Sequence, residues 1–178
     1  MLRTILTYGT IAGLIVGAPM VTMMLLWKSP DPVGGGVYWG YGVMLIALSF
    51  VFVGVKSYRD KARGGVIKFL PALGVGLAIS LVAGVFYVLA WELSLALTHL
   101  DYIGSYAKAE IARAEARGAA PAELAQLRAS MDDMKAMYAN PVLRMGMTLI
   151  EILPVGLLVS LVSAALLRNS RFMPPRAA

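Results

Sequence analysis

Two acidic residues, Glu92 and Glu151, stand in or beside long stretches that otherwise carry no charge. A carboxylate inside a membrane span is costly and usually faces the interior of a helix bundle, so each is a candidate functional group. Counting helical rise from about residue 97, the outer end of the third span, and from Met145, the start of the last uncharged stretch, places both carboxylates roughly 8 to 9 Å below the same membrane surface. Neighbouring antiparallel helices could bring them together, where they would share a proton or a hard cation.

A structural role for each carboxylate is the interpretation that we favour. Pro154 removes a backbone donor from its helix, and a protonated Glu151 is close enough in sequence to help satisfy the backbone there. Glu92 can reach the membrane interface. Arg144 and His99 each lie two turns from one of the glutamates along the same helix, and are therefore candidate partners.

Other residue combinations that support catalysis or metal binding are absent from the sequence. The chain has no cysteine and one histidine, which excludes thiolate sites and multi-histidine metal centres. It has no phosphate-binding loop, HExxH, GxSxG or dinucleotide-binding motif, and a match to S-x-x-K at residues 105–108 lacks its companion motifs. We therefore predict no catalytic residue, no metal and no cofactor, and a protein that is not an enzyme.

The composition indicates a membrane protein. Hydrophobic residues make up 59% of the 178 positions and the mean hydropathy is +0.74, more than a water-soluble fold of this size can bury. Four apolar stretches have the length of about 20 residues that crosses a bilayer as a helix. The first lacks a signal-peptide cleavage site, so we interpret it as an uncleaved span. The predicted spans are residues 4–27, 36–56, 69–97 and 142–167 of an all-α, four-transmembrane-helix bundle.

Basic residues are concentrated at one end of this predicted bundle. The N-terminal start, the loop between spans 2 and 3 and the C-terminal tail together hold nine basic residues and one acidic residue, whereas the opposite side holds seven of each. Short loops rich in Lys and Arg resist translocation, which predicts that both termini are cytoplasmic. The nine basic residues are Arg3, Lys56, Arg59, Lys61, Arg63, Lys68, Arg168, Arg171 and Arg176.

The net charge of +6 does not indicate nucleic-acid binding, because the basic residues flank apolar segments and no groove-reading or base-stacking module is present. Membrane lipid is the predicted partner. Lys56, Tyr58, Arg59 and Lys61 close the second span and could contact lipid headgroups or simply anchor the helix end.

Small residues recur at four-residue intervals in three of the spans, the pattern that lets helix backbones approach closely in lipid. We predict a compact bundle within one chain, with a homodimer through the same faces as the alternative. Pro19 and Pro154 lie inside spans and predict helix kinks. The packing residues are Gly9, Gly13 and Gly17 in span 1, Gly76, Ser80 and Gly84 in span 3, and Gly156 and Ser160 in span 4.

The segment between spans 3 and 4 is too long to be a simple connector and predicts a two-helix extracytoplasmic hairpin at about residues 99–139. Gly118 and Pro121 mark the end of one helix and the start of the next. The second helix carries an apolar stripe that the first helix, the membrane interface or a partner protein must cover; we favour the first helix, through Tyr102 and Tyr106. The stripe comprises Leu124, Leu127, Met131, Met134 and Tyr138.

Three stretches resemble the bacterial membrane-protein family called domain of unknown function 4199. They are Gly54 to Lys61 (GVKSYRDK), Met137 to Pro141 (MYANP) and Glu151 to Leu158 (EILPVGLL), and the four-span layout extends the resemblance over nearly the whole chain. The resemblance implies a small integral protein of the bacterial cytoplasmic (inner) membrane. It implies no established activity.

These observations favour a non-enzymatic scaffold or accessory subunit whose outer hairpin contacts lipid or another protein. The alternative is a proton- or cation-linked transporter or relay that uses Glu92 and Glu151. The first follows from the packing pattern and the lack of catalytic motifs, and the second from the intramembrane carboxylates.

Overall fold

The structure of the chain, a computed structural model, describes residues 1–26 and 36–174. The predicted end of span 1 at Trp27 and the basic residue Arg176 lie outside these residues. Six α-helices form within them, and the prediction of an all-α fold is confirmed. The helices are α1 (Leu2–Leu26), α2 (Gly36–Ala62), α3 (Phe69–Thr98), α4 (Tyr102–Ala116), α5 (Pro121–Ala139) and α6 (Pro141–Leu167).

Helices α1, α2, α3 and α6 are long and apolar enough to cross a membrane, and α4 and α5 lie between the third and fourth of them, as predicted. We call the end of the bundle that carries α4 and α5 the hairpin end, and the opposite end the basic end. Helix α2 continues to Ala62 at the basic end, so the GVKSYRDK stretch is entirely helical. Gly64 and Gly65 have φ angles of 60° and 86°, which glycine adopts easily, and they form the turn into α3.

The four long helices enclose one apolar core. Helices α2 and α3 contact each other, and both also contact α1 and α6. Leu48, Ile79 and Ile152 are fully or almost fully buried where these helices meet. Many large apolar side chains on the outer faces remain exposed, as expected for helices that face lipid.

The glycine stripe of α1 packs against α3. A Cβ atom added to Gly13 would lie 2.4 Å from the Cβ of Phe86, closer than any real contact between such atoms. The same close approach occurs one turn to either side, so α1 and α3 are parallel and their backbones nearly touch. The facing pairs are Gly9 with Val82, Gly13 with Phe86, and Gly17 with Ala90.

The small residues of α3 and α6 face each other. Gly76 lies against Ser160 and Gly156 against Ser80, which makes these helices antiparallel. The two serine hydroxyls lie 3.3 Å apart, and that of Ser160 donates to the Gly156 carbonyl at 2.7 Å. Gly84 packs on the side chains of Leu149 and Ile152 in the same interface. All three small-residue stripes are thus occupied within one chain, and a homodimer would need another surface.

Pro19 and Pro154 lie within α1 and α6, and both helices continue through them. The kinks that the two prolines predict therefore stay predictions.

Helices α4 and α5 form the predicted hairpin. Gly118 has a φ of 75° and Pro121 opens α5, so the chain stops and restarts where the sequence indicates. The stripe of α5 is its least exposed face, with Met131 buried, and α4 packs against α5. The buried residues of α4 are small, Gly104, Ala107 and Ala114. Ion pairs between Arg128 and Glu115 and between Arg117 and Glu123 link the two arms.

Candidate functional site

Helix α6 starts immediately after α5, and this corner positions the first of the site residues. Asn140 separates the two helices, and its side-chain oxygen accepts from the backbone N–H of Val142 at 2.9 Å. Pro141 occupies the first turn of α6, where its missing N–H has no cost. Arg144 consequently lies in the first turn of α6, level with the last two turns of α3.

Arg144 forms a bidentate ion pair with Glu92 of α3. Its Nε donates to Glu92 Oε1 at 2.7 Å and its Nη2 donates to Oε2 at 2.5 Å. Both side chains are 19% exposed. The planar guanidinium matches the carboxylate, which is the geometry of the strongest charge-assisted hydrogen bonds. Glu92, the first of the two predicted intramembrane carboxylates, is therefore neutralised by a cation from the neighbouring helix α6.

Aromatic residues surround this ion pair and join the hairpin to the bundle. Trp91 Nε1 donates to the Tyr138 hydroxyl at 2.7 Å, and the Trp91 ring meets the Tyr102 ring edge-on with centroids 4.7 Å apart. The Arg144 guanidinium lies 5.5 Å from the centroid of the Tyr138 ring. We call Trp91, Glu92, Tyr102, Tyr138 and Arg144 the hairpin-end cluster.

The two tyrosines of the cluster stay neutral over a wide pH range. Burial raises the pKa of the Tyr138 hydroxyl well above its usual range, although the Trp91 hydrogen bond and the positive charge of Arg144 act in the opposite direction. Burial also raises the pKa of Tyr102, and the nearby Glu151 carboxylate adds to this effect. Both hydroxyls can therefore donate and accept hydrogen bonds at any physiological pH.

Glu151 lies deeper in the bundle than Glu92. It follows Arg144 by seven residues along α6, a separation of about 10 Å by helical rise, and Arg144 is level with Glu92. The comparable depth expected for the two glutamates is not observed, because α6 begins at Pro141 and not near Met145. Glu151 is exposed on the bundle surface and interacts with the hydroxyl of the buried Tyr87.

The structure therefore does not join the two carboxylates in one pair. His99, the other candidate partner of Glu92, is exposed and caps α3 in a left-handed conformation with a φ of 52°. Its backbone N–H donates to the Leu95 carbonyl at 2.9 Å. Trp91, Tyr102 and Tyr138 were not predicted as site residues.

A cleft of about 390 Å³ opens beside the hairpin-end cluster. Its wall is partly apolar and partly charged. No group of three or more histidine, cysteine or acidic side chains that could hold a metal ion occurs in residues 1–26 and 36–174. The cleft is lined by Leu95, Leu100, Asp101, Tyr102, Ile103, Lys135, Tyr138, Ala139 and Arg144.

A second cluster lies at the basic end, around Arg59. The Arg59 side chain is fully buried, and its Nη1 and Nη2 donate to the carbonyl oxygens of Phe172 and Met173 at 2.9 and 2.5 Å. Its Nε donates to Asp60 Oδ1 at 2.7 Å, and Lys56 Nζ binds the other oxygen of Asp60 at 2.6 Å. Arg59 thus holds the segment that follows α6 against the end of α2.

The candidate headgroup contacts have different surroundings. Tyr58 is buried, and its hydroxyl accepts from Arg63 Nε at 3.2 Å. Arg59 and Tyr58 therefore face protein groups, a placement that differs from the predicted contact with lipid headgroups. Lys61 is exposed and the Lys56 side chain is 25% exposed, so for these two the headgroup contact stays a prediction.

Four helices able to cross a membrane, with two shorter helices between the last two, define a multi-pass membrane protein. The chain belongs to the family described as protein of unknown function DUF4199, whose model matches residues 7–169. The resemblance seen in the sequence is confirmed. Searches of curated proteins and of solved structures find no match.

The hairpin-end ion pair gives a direct prediction. Replacing Arg144 with methionine leaves the Glu92 carboxylate without its partner and should lower the free energy of unfolding by about 1–3 kcal/mol, less than for a fully buried pair because both side chains keep some exposure. Replacing Glu92 with glutamine in the same chain should recover part of that loss. Thermal unfolding of the purified full chain in detergent, followed by circular dichroism, measures both.

The matched control is Arg128→Ala, which removes the exposed ion pair with Glu115 within the hairpin. Exposed pairs contribute little, so this change should stay within about 0.5 kcal/mol. If Arg144→Met and Arg128→Ala lowered the free energy of unfolding equally, the ion pair with Glu92 would contribute no more stability than an exposed pair.

Proposed function

We propose that the chain is a non-enzymatic scaffold or accessory subunit of the bacterial cytoplasmic membrane that presents its helical hairpin, α4 and α5, at the outer membrane surface. The observation that supports this role is the hairpin-end cluster. Its ionic and aromatic groups bind one another across α3, α5 and α6, and so fix the hairpin to the bundle. A scaffold needs such fixed contacts to hold an interaction surface at a defined height above a membrane.

The charge distribution supports the proposed orientation. The basic end carries Arg3, Arg63 and Lys68, whereas the charges of the hairpin are balanced between the two signs. The positive-inside rule then places the basic end and both termini in the cytoplasm. The hairpin would be extracytoplasmic, where its exposed polar face can meet lipid headgroups or a partner protein.

The outer face of the hairpin is available for such contacts. Gln126, Ala129 and Ala136 of α5 are exposed, on the side away from the buried Met131. This face combines small and polar side chains on a helix that α4 and α6 hold in place. It is therefore a preformed surface, and a partner that binds there would cause little loss of conformational entropy in the hairpin.

Site-specific photo-crosslinking in native membranes tests the proposal. A photoreactive residue at position 126 or 136 of the full chain should give discrete adducts with a partner protein or with lipid headgroups. The control position is Leu6, which is exposed on α1 and far from the hairpin, and it should give acyl-chain adducts. A hairpin that gives no adduct in membranes, together with a chain that migrates only as a monomer, would contradict the proposal.

A second candidate function is a proton or cation relay, and the position of Glu151 favours it. This carboxylate lies within a span and interacts with the buried Tyr87 hydroxyl, while Glu92 is already neutralised by Arg144. Glu151 is therefore the carboxylate that remains able to exchange a proton. The sequence suggested a relay that uses both Glu92 and Glu151. Because Glu92 is paired with Arg144, we centre the relay on Glu151 and treat Glu92 as a structural neighbour.

This relay predicts that proteoliposomes of the full chain carry a proton- or cation-dependent flux that Glu151→Gln abolishes. Glutamine keeps the size and hydrogen bonding of the side chain but cannot release a proton, so the fold should be retained. Helix content and thermal midpoint measured on the same preparation provide the control. A wild-type chain without flux under any imposed gradient would exclude the relay.

A further inference from the structure

Glu151 belongs to an exposed face of α6 that is otherwise apolar. Met147, Ile150 and Leu158 are 37%, 67% and 57% exposed, and Glu151 and Pro154 are exposed between them. These positions follow one another at spacings of three and four residues, so they form a single stripe along the helix. The stripe lies on the outside of the bundle, where a bilayer would surround it.

The depth of Glu151 places its carboxylate in hydrocarbon. It is the eleventh residue of a 27-residue helix, about 15 Å from the first residue by helical rise. Lipid at this depth cannot solvate a carboxylate, and side chains of this kind normally pair with another polar group. The stripe therefore carries one group that lipid alone leaves poorly satisfied.

The other acidic residues of the spans already have cationic partners. Glu92 is bound by Arg144, and Asp60 is bound by Arg59 and Lys56. Within residues 1–26 and 36–174, Glu151 forms no ion pair, and the neighbours with which it interacts are the hydroxyl groups of Tyr87 and Tyr102. A hydroxyl does not balance its charge, so Glu151 differs from the other two.

We propose that this stripe of α6 binds a transmembrane helix of another protein, and that the helix carries a basic or hydrogen-bond-donating side chain at the depth of Glu151. The inference rests on the proposed role as an accessory subunit and identifies the surface and the chemistry of its partner. Apolar side chains on either side of Glu151 would pack against the partner helix and exclude lipid from the polar contact. The pairing would add a donor to the Glu151 carboxylate, and a basic donor would also balance its charge.

A second copy of this chain supplies no basic side chain at this depth. The basic residues in its described spans lie near the helix ends: Arg3 in α1, Lys56, Arg59 and Lys61 in α2, and Arg144 in α6. None reaches the depth of Glu151. A symmetric pair of α6 helices would place two carboxylates face to face, which is unfavourable unless they share a proton.

Photo-crosslinking from α6 in native membranes tests the inference. A photoreactive residue at Leu158 of the full chain should give one protein adduct, and mass spectrometry of the linked peptide should find Lys, Arg, His, Asn or Gln inside a membrane span. Introducing Glu151→Leu should reduce the adduct at least fivefold. The matched control is position 81 of α3, where Leu81 is 51% exposed, and it should give lipid adducts in both backgrounds.

The same experiment separates this inference from the proposed function. Lipid adducts alone at position 158, adducts with a second copy, or a protein adduct unchanged by Glu151→Leu would each overturn the inference. Protein adducts at hairpin position 126 or 136 alongside such a result would leave the accessory role intact.

Discussion

Replacing Gly13 with valine should lower the midpoint of thermal unfolding by about 5–10 °C. A Cβ atom at this position would lie 2.4 Å from the Cβ and 2.8 Å from the Cγ of Phe86. The Cβ of Phe86 is attached directly to the backbone of α3, so rotation of the ring cannot relieve the first contact. The helices must separate, and overpacking of this kind costs about 1–3 kcal/mol.

Gly74→Val is the matched control for this change. Gly74 lies in α3 and is exposed, and an added Cβ there would meet no atom within 4 Å. The change in intrinsic helix propensity is the same for both substitutions, so the difference between them isolates the packing of α1 against α3. We expect Gly74→Val to shift the midpoint by no more than about 2 °C. Equal shifts would mean that the α1 and α3 backbones are not in close contact.

The fold was predictable because each span is encoded locally. A run of about 20 apolar residues crosses a bilayer as a helix whatever surrounds it, and Gly118 and Pro121 terminate and restart the hairpin helices by their own backbone preferences. The small-residue stripes were also visible. Their partners were not, because α3 uses two different faces: Phe86 and its neighbours contact Gly13, while Ser80 contacts Gly156.

The candidate site was less predictable because its contacts join distant segments. Glu92 and Arg144 are 52 residues apart in the chain, and their pairing depends on where α6 begins. Asn140 followed by Pro141 is a helix start signal. Counting from it places Arg144 in the first turn of α6, at the level of Glu92, whereas counting from Met145 suggested that Glu92 and Glu151 were level.

The environment of Arg59 was not predictable from the sequence for a different reason. A basic residue near the end of a span normally faces lipid headgroups or water, and the sequence offered no reason to expect another environment. The chain after α6 turns back, and the Phe172 ring packs edge-on against Phe52 with centroids 6.4 Å apart. This contact brings two backbone carbonyls to the Arg59 guanidinium. Local sequence does not specify such a return.

Replacing Arg59 with methionine should therefore have a large effect at the basic end. Methionine fills the space but removes all three donors, and it leaves the carbonyls of Phe172 and Met173 and the Asp60 carboxylate with fewer partners. Loss of one member of a buried ion pair costs about 3–5 kcal/mol, and we expect a loss near the lower limit because Lys56 still binds Asp60. Thermal unfolding of the full chain in detergent measures it.

Trypsin cleavage reports the local part of this effect. With Arg59 absent, the segment after α6 should detach, and cleavage after the exposed Arg171 should become several-fold faster. Lys61→Met is the control, because Lys61 is exposed on the same helix. This substitution should leave the rate of cleavage unchanged and should change the free energy of unfolding by no more than about 0.5 kcal/mol. Arg59→Lys should restore little, because an ammonium group cannot bind two carbonyls and a carboxylate in the fixed geometry of a guanidinium. If cleavage after Arg171 were equally slow in wild type and in Arg59→Met, the Phe172 ring contact alone would be holding the segment.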